Sequence, residues 1–410
     1  MVSKWATGWS IRVDSTAAHG NAPFNRLMER EELASWLRLT LTPGVGNETA
    51  RKLLAAFGLP DAVFRQPAAA LRQVASPAQT DALRTEPPAL AALLDRTWNW
   101  LQEDKAQRHI VVLGDAGYPA SLLTIEDPPL LLYLLGAGHF SANLARCIAV
   151  VGSRNPTPQG AANARQFSRA LGQAGLTVVS GLALGIDGAA HEGALDSLET
   201  GSKRLATVAV VGTGLDRVYP KGHLALARRI AQHGLLISEY PLGTPPLTAN
   251  FPRRNRLIAG LAQGTLVIEA ALKSGSLITA RLSAEQGKDV FAIPGSIHAP
   301  QARGCHALIK QGAKLVESAQ DVLEEMKLDT GPCLPTDPAA AGAATSGAED
   351  LFVTEHTLLE ALGFDPVGLE ALQARSGLDT AQLQAQLMAL ELDGLITRLP
   401  GGLFQHISRI

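Results

Sequence analysis

Ile148-Ala149-Val150-Val151-Gly152-Ser153-Arg154 is the stretch whose reading decides the fold. Four apolar residues, three of them β-branched, break at a glycine followed by a polar and a basic residue. The same design returns along the chain. Apolar runs at 176–179, 207–211, 235–237, 265–268 and 290–293 alternate with helical stretches around 160–173, 186–196, 223–233, 254–263 and 276–286. Strands nearly continuous in Val, Ile and Leu need cover on both faces, and a helix after each strand supplies it. The pattern predicts a doubly wound, parallel α/β sheet.

On the N-terminal side, residues 108–136 hold two further apolar runs separated by Tyr118-Pro119 and Asp127-Pro128-Pro129. Such a Pro-interrupted pair suits an extension at the edge of the larger sheet, so one sheet-bearing domain is expected over 101–327. Residues 28–100 alternate helical runs with Pro and Gly breaks and read as a small helical domain. Within it, Pro43-Gly44-Val45-Gly46 separates two helical runs like a helix-hairpin-helix. That hairpin either presents backbone N–H groups to a phosphate or is a plain turn. Residues 1–27 have the composition of a disordered leader or an over-extended start. On the C-terminal side, 328–350 is rich in Pro, Gly, Ala and Ser and reads as a linker. Residues 351–410 then offer three helical segments, near 354–362, 367–375 and 380–392, and a hairpin around Pro400-Gly401-Gly402, which together suggest a winged helix.

Composition narrows the function. The chain has 410 residues, 36 Lys plus Arg against 38 Asp plus Glu, and a net charge of −2, so any polyanion site must rest on a local cluster. Its three cysteines, Cys147, Cys305 and Cys333, form no CxxC pair, which fits a reducing cytoplasm and argues against a zinc site or a disulfide framework. No signal peptide or membrane-spanning run is evident, and neither metal nor cofactor is expected.

In open parallel sheets, ligands meet the carboxyl ends of the strands, where Gly-rich loops lead into helix N-termini. The loops there hold Gly152-Ser153-Arg154, Ser180-Gly181, Lys221, Phe251-Pro252-Arg253-Arg254-Asn255-Arg256 and Lys273-Ser274-Gly275-Ser276. Between 201 and 260 the chain has nine basic residues (Lys203, Arg204, Arg217, Lys221, Arg228, Arg229, Arg253, Arg254, Arg256) against only Asp216 and Glu239. That local excess is the footprint of a phosphate-binding surface. Phe251, beside the arginines, offers a stacking face for an unpaired base. Arg228 and Arg229, on a helix body, are expected to serve structure instead.

These motifs, together with Ala190-His191, 212–220, Ile237-Ser-Glu-Tyr-Pro241 and Ser274-Gly-Ser-Leu-Ile-Thr-Ala280, resemble the DNA-processing protein A (DprA, or Smf) family over roughly residues 28–325. The tail is similar to that family's winged-helix-like domain. The resemblance implies an extended Rossmann-like domain that binds single-stranded DNA, forms a homodimer and loads the RecA recombinase during natural transformation, without catalysis. It implies phosphate contacts for Arg154, Lys221 and the Lys273–Ser276 loop, a strand path along Phe251 and Arg253–Arg256, and a dimer face near 290–315. Of the three arginines, some must turn inward. In place of the family's usual Gly-x-Asn, this chain has Gly304-Cys305-His306.

Two enzymatic readings compete. Gly212-Thr213-Gly214 after a strand, with Glu239 ending the next, is a weak dinucleotide signal, since Arg217 takes the third glycine position. A nucleotide ribohydrolase on a related fold would need a carboxylate in the Ser276-Leu277-Ile278-Thr279 stretch, and none is there. Asp187 and His191, four residues apart, are expected to fasten a helix rather than to act with Ser180. The tail carries seven acidic residues and three basic ones, and 380–392 has no Lys or Arg, so it is expected to contact protein rather than DNA.

Overall fold

The computed structural model describes residues 28–136, 146–202, 204–327 and 366–406, with Leu358, Leu359 and Leu362. The expected leader (1–27), linker (328–350) and most of the first tail helix lie outside these residues, as does Lys203.

Among the described residues six helices come first: α1 (Arg30–Leu41), α2 (Asn47–Phe57), α3 (Pro60–Phe64), α4 (Ala68–Leu71), α5 (Pro77–Arg84) and α6 (Leu90–Glu103). α6 runs past the expected domain boundary at 100. Its Trp100 packs edge-on against Tyr133, ring centroids 6.2 Å apart. Leu33, Trp36 and Leu93 share one apolar cluster with Val112, Tyr133, Val211, Ile230 and Leu236, so the helical unit is built onto the sheet.

Among the described residues the main sheet has nine strands in the order β1-β2-β6-β5-β4-β3-β7-β8-β9. They are β1 (Arg108–Val112), β2 (Leu131–Gly136), β3 (Cys147–Val151), β4 (Thr177–Ser180), β5 (Thr207–Val210), β6 (Leu235–Ser238), β7 (Gly264–Val267), β8 (Asp289–Ala292) and β9 (Lys314–Leu315). Strands β3 to β9 run parallel; β2 pairs antiparallel with both β1 and β6, forming the expected edge extension.

Every residue of β3 is buried because its two faces feed different cores. Cys147, Ala149 and Val151 meet Leu257, Ile258 and Leu261 on one side, whereas Ile148 and Val150 meet Phe167, Leu171 and Ile186 on the other. The covering helices are α7 (Pro158–Gln173), α8 (Ile186–Leu195), α9 (Leu224–His233), α10 (Asn250–Leu261), α11 (Ser276–Glu285), α12 (Arg303–Lys310) and α13 (Ala319–Glu325). The order reverses at β3, whose neighbours are β4 and β7, and helix α10 crosses from β6 to β7 over that reversal.

The tail forms α14 (Leu369–Ser376), α15 (Thr380–Leu392) and a three-stranded sheet β10-β12-β11, from Val367–Gly368, Leu403–His406 and Ile396–Leu399. It has its own core around Leu372, Leu383, Leu387, Ile396 and Phe404. No helix among the described residues is long and apolar enough to cross a membrane.

Candidate nucleic-acid interface

Helix α10 starts at Asn250, not near 254 as the sequence suggested, and this shift decides which arginine faces where. Buried Asn250, Arg254, Leu257, Ile258 and Leu261 repeat with helical spacing and form the inner stripe. Arg254 is therefore a core residue. It is 4% exposed, its Nη1 donates to the Gly181 carbonyl at 2.6 Å, and the same nitrogen donates to Val210. Burial pulls its guanidinium down to about 10. Arg256 is likewise not available to DNA: it pairs with Glu239, and lies 3.6 Å from Asp127. Asp127 in turn holds Arg51 at 3.1 Å and Asn47 at 3.0 Å, both on α2. The polar start of α2, just after the 43–46 hairpin, is thus engaged with the sheet domain. The Gly44 carbonyl accepts from Gln79 at 2.7 Å.

Two of the glycines assigned to phosphate contact are placed by packing. At Gly152 a Cβ would stand 2.7 Å from Ile186 and 2.8 Å from the Glu269 carbonyl. Gly181 is buried under the Arg254 guanidinium, and its N–H donates to Asp187 at 3.1 Å, so that donor is not open to a phosphate. Ser153 donates its N–H to Glu269 at 2.7 Å, leaving its hydroxyl to accept from Asn155. Ser274 and Ser276 pair their hydroxyls at 2.7 Å, with Ser276 turned inward. Asn255 donates to the Gly275 carbonyl at 3.2 Å and ties the start of α10 to the start of α11.

What stays open is a row of four cations. Arg154 follows β3, Lys221 follows β5, Arg253 lies in the first turn of α10 after β6, and Lys273 follows β7; all four are exposed, and none forms an ion pair among the described residues. Of the other basic residues, Arg204 donates to the Leu176 carbonyl, Arg217 pairs with Asp216 and Arg229 with Asp196. Arg228, on the body of α9, is exposed. Arg154 sits 5.7 Å from the centre of the Phe251 ring, and Tyr219 packs on that ring at 5.5 Å.

The anion site usual for this fold is filled from within. Thr157 caps α7, and the Glu269 carboxylate accepts from the Thr157 backbone N–H at 2.9 Å and from its hydroxyl. A side chain at Gly160 would collide with that carboxylate. Burial raises the Glu269 carboxyl above its ordinary value. A dinucleotide pyrophosphate would compete with this carboxylate for the same helix end. From the sequence Glu269 had no assigned role; the one signal was a Thr-Pro pair opening α7, a helix start already capped.

Asp187, His191 and Ser180 are each engaged with a neighbour. Asp187 accepts from Gly181 and Ala183, His191 faces Thr207 at 2.7 Å, and Ser180 donates to the Val150 carbonyl at 2.7 Å, all buried. Each fastens α8 or β4 to a neighbour. Where the resemblance led one to expect Asn, His306 Nε2 sits 3.0 Å from the Gly295 carbonyl and braces the loop after β8. Among the described residues no cluster of His, Cys, Asp or Glu is placed to hold a metal.

Comparison with known proteins agrees with this architecture. A family profile described as DNA recombination-mediator protein A matches residues 109–327, and a DprA winged helix domain profile matches 340–402. The chain is 40% identical to Protein Smf of Escherichia coli over 74% of its own length and 78% of that protein's. It is 48% identical to DNA processing protein DprA of Streptococcus pneumoniae over 53% and 73% respectively. The X-ray structure of the Streptococcus pneumoniae protein superposes with a TM-score of 0.56 at 38% identity, covering 72% of this chain and 98% of that one. On the fold, the ordered motifs and these matches together, the chain belongs to the DNA-processing protein A (DprA/Smf) family.

Proposed function

We propose that this protein binds single-stranded DNA across the carboxyl rim of its sheet and performs no chemistry on it. The observation that carries the reading is the row Arg154, Lys221, Arg253 and Lys273, exposed and without ion pairs among the described residues, at one edge of a chain of net charge −2. Four loops from four strands present these charges, a spread suited to successive phosphates of an extended strand rather than to one nucleotide. The capped N-terminus of α7 speaks against a mononucleotide as the ligand.

The strand so held would be shielded from nucleases and handed to the RecA recombinase during recombination or natural transformation; membership of a recombination-mediator family supports this role. A homodimer fits the groove of about 600 Å³ between α11, α12 and β8, where Leu272, Leu277, Ile278, Val290 and Leu308 line the surface. Its site of action would be the cytoplasm, where DNA and recombinase meet and where buried, unpaired Cys147 and Cys305 stay reduced. The winged helix, with no Lys or Arg in α15, would serve protein contacts.

Fluorescent oligo(dT) binding beside a base-release assay on nucleotides tests the proposal. Salt-sensitive, sequence-tolerant retention without turnover is the expected outcome. Turnover lost on changing Asp187 would replace this reading with a nucleotide hydrolase.

A further inference from the structure

Arg253, Arg254, Asn255 and Arg256 follow one another in the first two turns of α10, and three of the four are tied to different elements. Arg254 turns in to the carbonyls of Gly181 and Val210. Asn255 reaches the Gly275 carbonyl at the start of α11. Arg256 pairs with Glu239 at the end of β6. Arg253 alone of the four forms no hydrogen bond or ion pair among the described residues, so its place at the rim is inherited from the anchors beside it.

The Arg256 anchor reaches farthest. Arg256 and Glu239 are both largely buried, yet they do not close as a fork. Glu239 Oε1 and Arg256 Nη1 are left without partners among the described residues, although a bidentate pair would satisfy both. The Nη2 that holds Glu239 also lies 3.6 Å from Asp127, and this second carboxylate sets the guanidinium off the fork geometry. Asp127 is itself held from α2. Its Oδ2 accepts from Asn47 at 3.0 Å and its Oδ1 from Arg51 at 3.1 Å. Arg51 also donates to the carbonyls of Pro128 at 3.2 Å and Glu126 at 3.4 Å. One turn farther along α10 the same segment packs tightly again: a Cβ at Gly260 would stand 2.8 Å from both Leu122 and Ile125.

We infer that Asp127 is a positioning residue: acting through Arg256, it sets the orientation of the start of α10, and with it Arg253, according to how α2 holds the 126–128 segment. The N-terminal helical unit then tunes the strand affinity of the rim while touching no phosphate. This rests on the single-strand reading above. Loosening the link leaves α10 in its binding orientation only part of the time. Apparent affinity falls by that fraction, while the number of phosphate contacts, and so the salt slope, stays the same.

Simple electrostatics predicts the opposite sign, which makes the test sharp. Asp127→Asn removes a negative charge near a phosphate site, and that alone would tighten binding to a polyanion. Positioning instead predicts oligo(dT) binding about fivefold weaker, at the wild-type salt slope. Glu126→Gln is the control. It removes the same charge from the neighbouring residue, which is exposed and in no ion pair among the described residues, and binding should hold or tighten. Arg51→Lys keeps the charge and loses the fork that grips 126–128; it should weaken binding about threefold, again at the wild-type slope. Because both changes break one link, the double variant should lose no more than about fivefold. Anisotropy of labelled oligo(dT) over a NaCl series, well below each melting temperature, reads all of these.

Asp127→Asn binding as tightly as Glu126→Gln, a loss accompanied by a shallower slope, or single losses that multiply in the double variant would each overturn the coupling, while wild-type binding leaves the single-strand reading standing. Should Asp127→Asn fail to fold, Arg51→Lys decides: wild-type affinity in that variant would overturn the coupling. If the wild-type protein did not bind oligo(dT), the single-strand reading itself would fall, and the coupling with it.

Discussion

Replacing Arg154 by Ala separates a phosphate contact from a structural arginine. Arg154 is exposed, and its one recorded partner is the Phe251 ring at 5.7 Å. Losing an exposed cation–π contact costs about 0.5–1 kcal/mol, so the fold should barely notice. Binding should notice. With four open cations, the slope of log affinity against log salt is about −3 for a single strand, at roughly 0.7 per phosphate. Removing one contact brings it to about −2. Near 0.1 M salt that single contact is then worth about a fivefold change in affinity, or roughly 1 kcal/mol. Raising NaCl about fourfold should weaken wild type about fiftyfold and Arg154→Ala about twentyfold. Anisotropy of labelled oligo(dT) over a salt series measures this directly. Arg254→Ala is the control in the opposite sense. It strips the Gly181 and Val210 carbonyls of their donor and leaves Asp187 without its nearby buried cation, so stability should fall by about 3 kcal/mol or more. An unchanged salt slope in Arg154→Ala, or a melting loss matching that of Arg254→Ala, would refute the division of the arginines into outward and inward sets.

The other expectations concern the core and the tail. Thr207 spends its hydroxyl proton on the Val178 carbonyl, so His191 must present Nδ1–H to it, leaving Nε2 buried without a partner. Burial, with the nearby His223 and Arg254 charges, lowers His191 to about 3. A base lowered on folding takes up its proton in the unfolded chain first. Its stabilising share is therefore present above about 6.5 and lost as pH falls toward 3, by up to about 1.4 kcal/mol per pH unit. Asp187, Glu239 and Glu269, raised by burial, act in the opposite direction, so the measurement is the difference between wild type and His191→Asn in melting across that range. The wild type should lose more stability on acidification; parallel curves would contradict the assignment. Truncation after residue 327 should leave oligo(dT) affinity within about twofold, because α15 brings no Lys or Arg to a phosphate. A larger loss would make the winged helix a DNA reader after all.

The parallel core was legible because β3 to β8 are largely apolar on both faces and each is followed by a helix; β9, only Lys314 and Leu315, carries no such run and was missed. The cation row was legible only in part. Arg154, Lys221 and Lys273 lie in the segments that leave the carboxyl ends of β3, β5 and β7, and that position suffices to put a side chain at the rim. The arginines of α10 depend on helical phase, and phase depends on where the helix begins. Once Asn250 is known to open the helix, Arg254 falls on the stripe of Leu257, Ile258 and Leu261, three, four and seven residues on. That signal was present but masked by a start placed four residues late, since Ala249 offers no side-chain cap to mark the true beginning. Arg256 had no local signal at all. Its partners, Glu239 and Asp127, arrive from a strand end and from the crossing before β2, a meeting made by tertiary structure alone.

If the rim takes a single strand, Glu269 explains how a nucleotide fold becomes suited to a polymer. Helix α7 begins after β3, where the strand order reverses, the place where such a sheet offers a helix N-terminus to an anion; here Pro158 has no N–H and the Gly160 N–H is already held by the Thr157 hydroxyl. Here the carboxylate of Glu269 sits at that end, bonded to Thr157 through both backbone and hydroxyl. A free phosphate would have to displace a tethered anion that already holds the Thr157 N–H and hydroxyl, so small nucleotides have little to gain there. The remaining positive potential is carried by side chains farther out, on loops after several different strands. Those charges are weak individually, exposed to salt and spaced along a rim. Only a ligand that brings several linked phosphates at once can engage them together, because each contact after the first is made at the high effective concentration set by the chain that links them. On the proposed single-strand reading, plugging the crevice and leaving the rim cations unpaired would shift preference from one nucleotide to a strand of many, with no change in the fold.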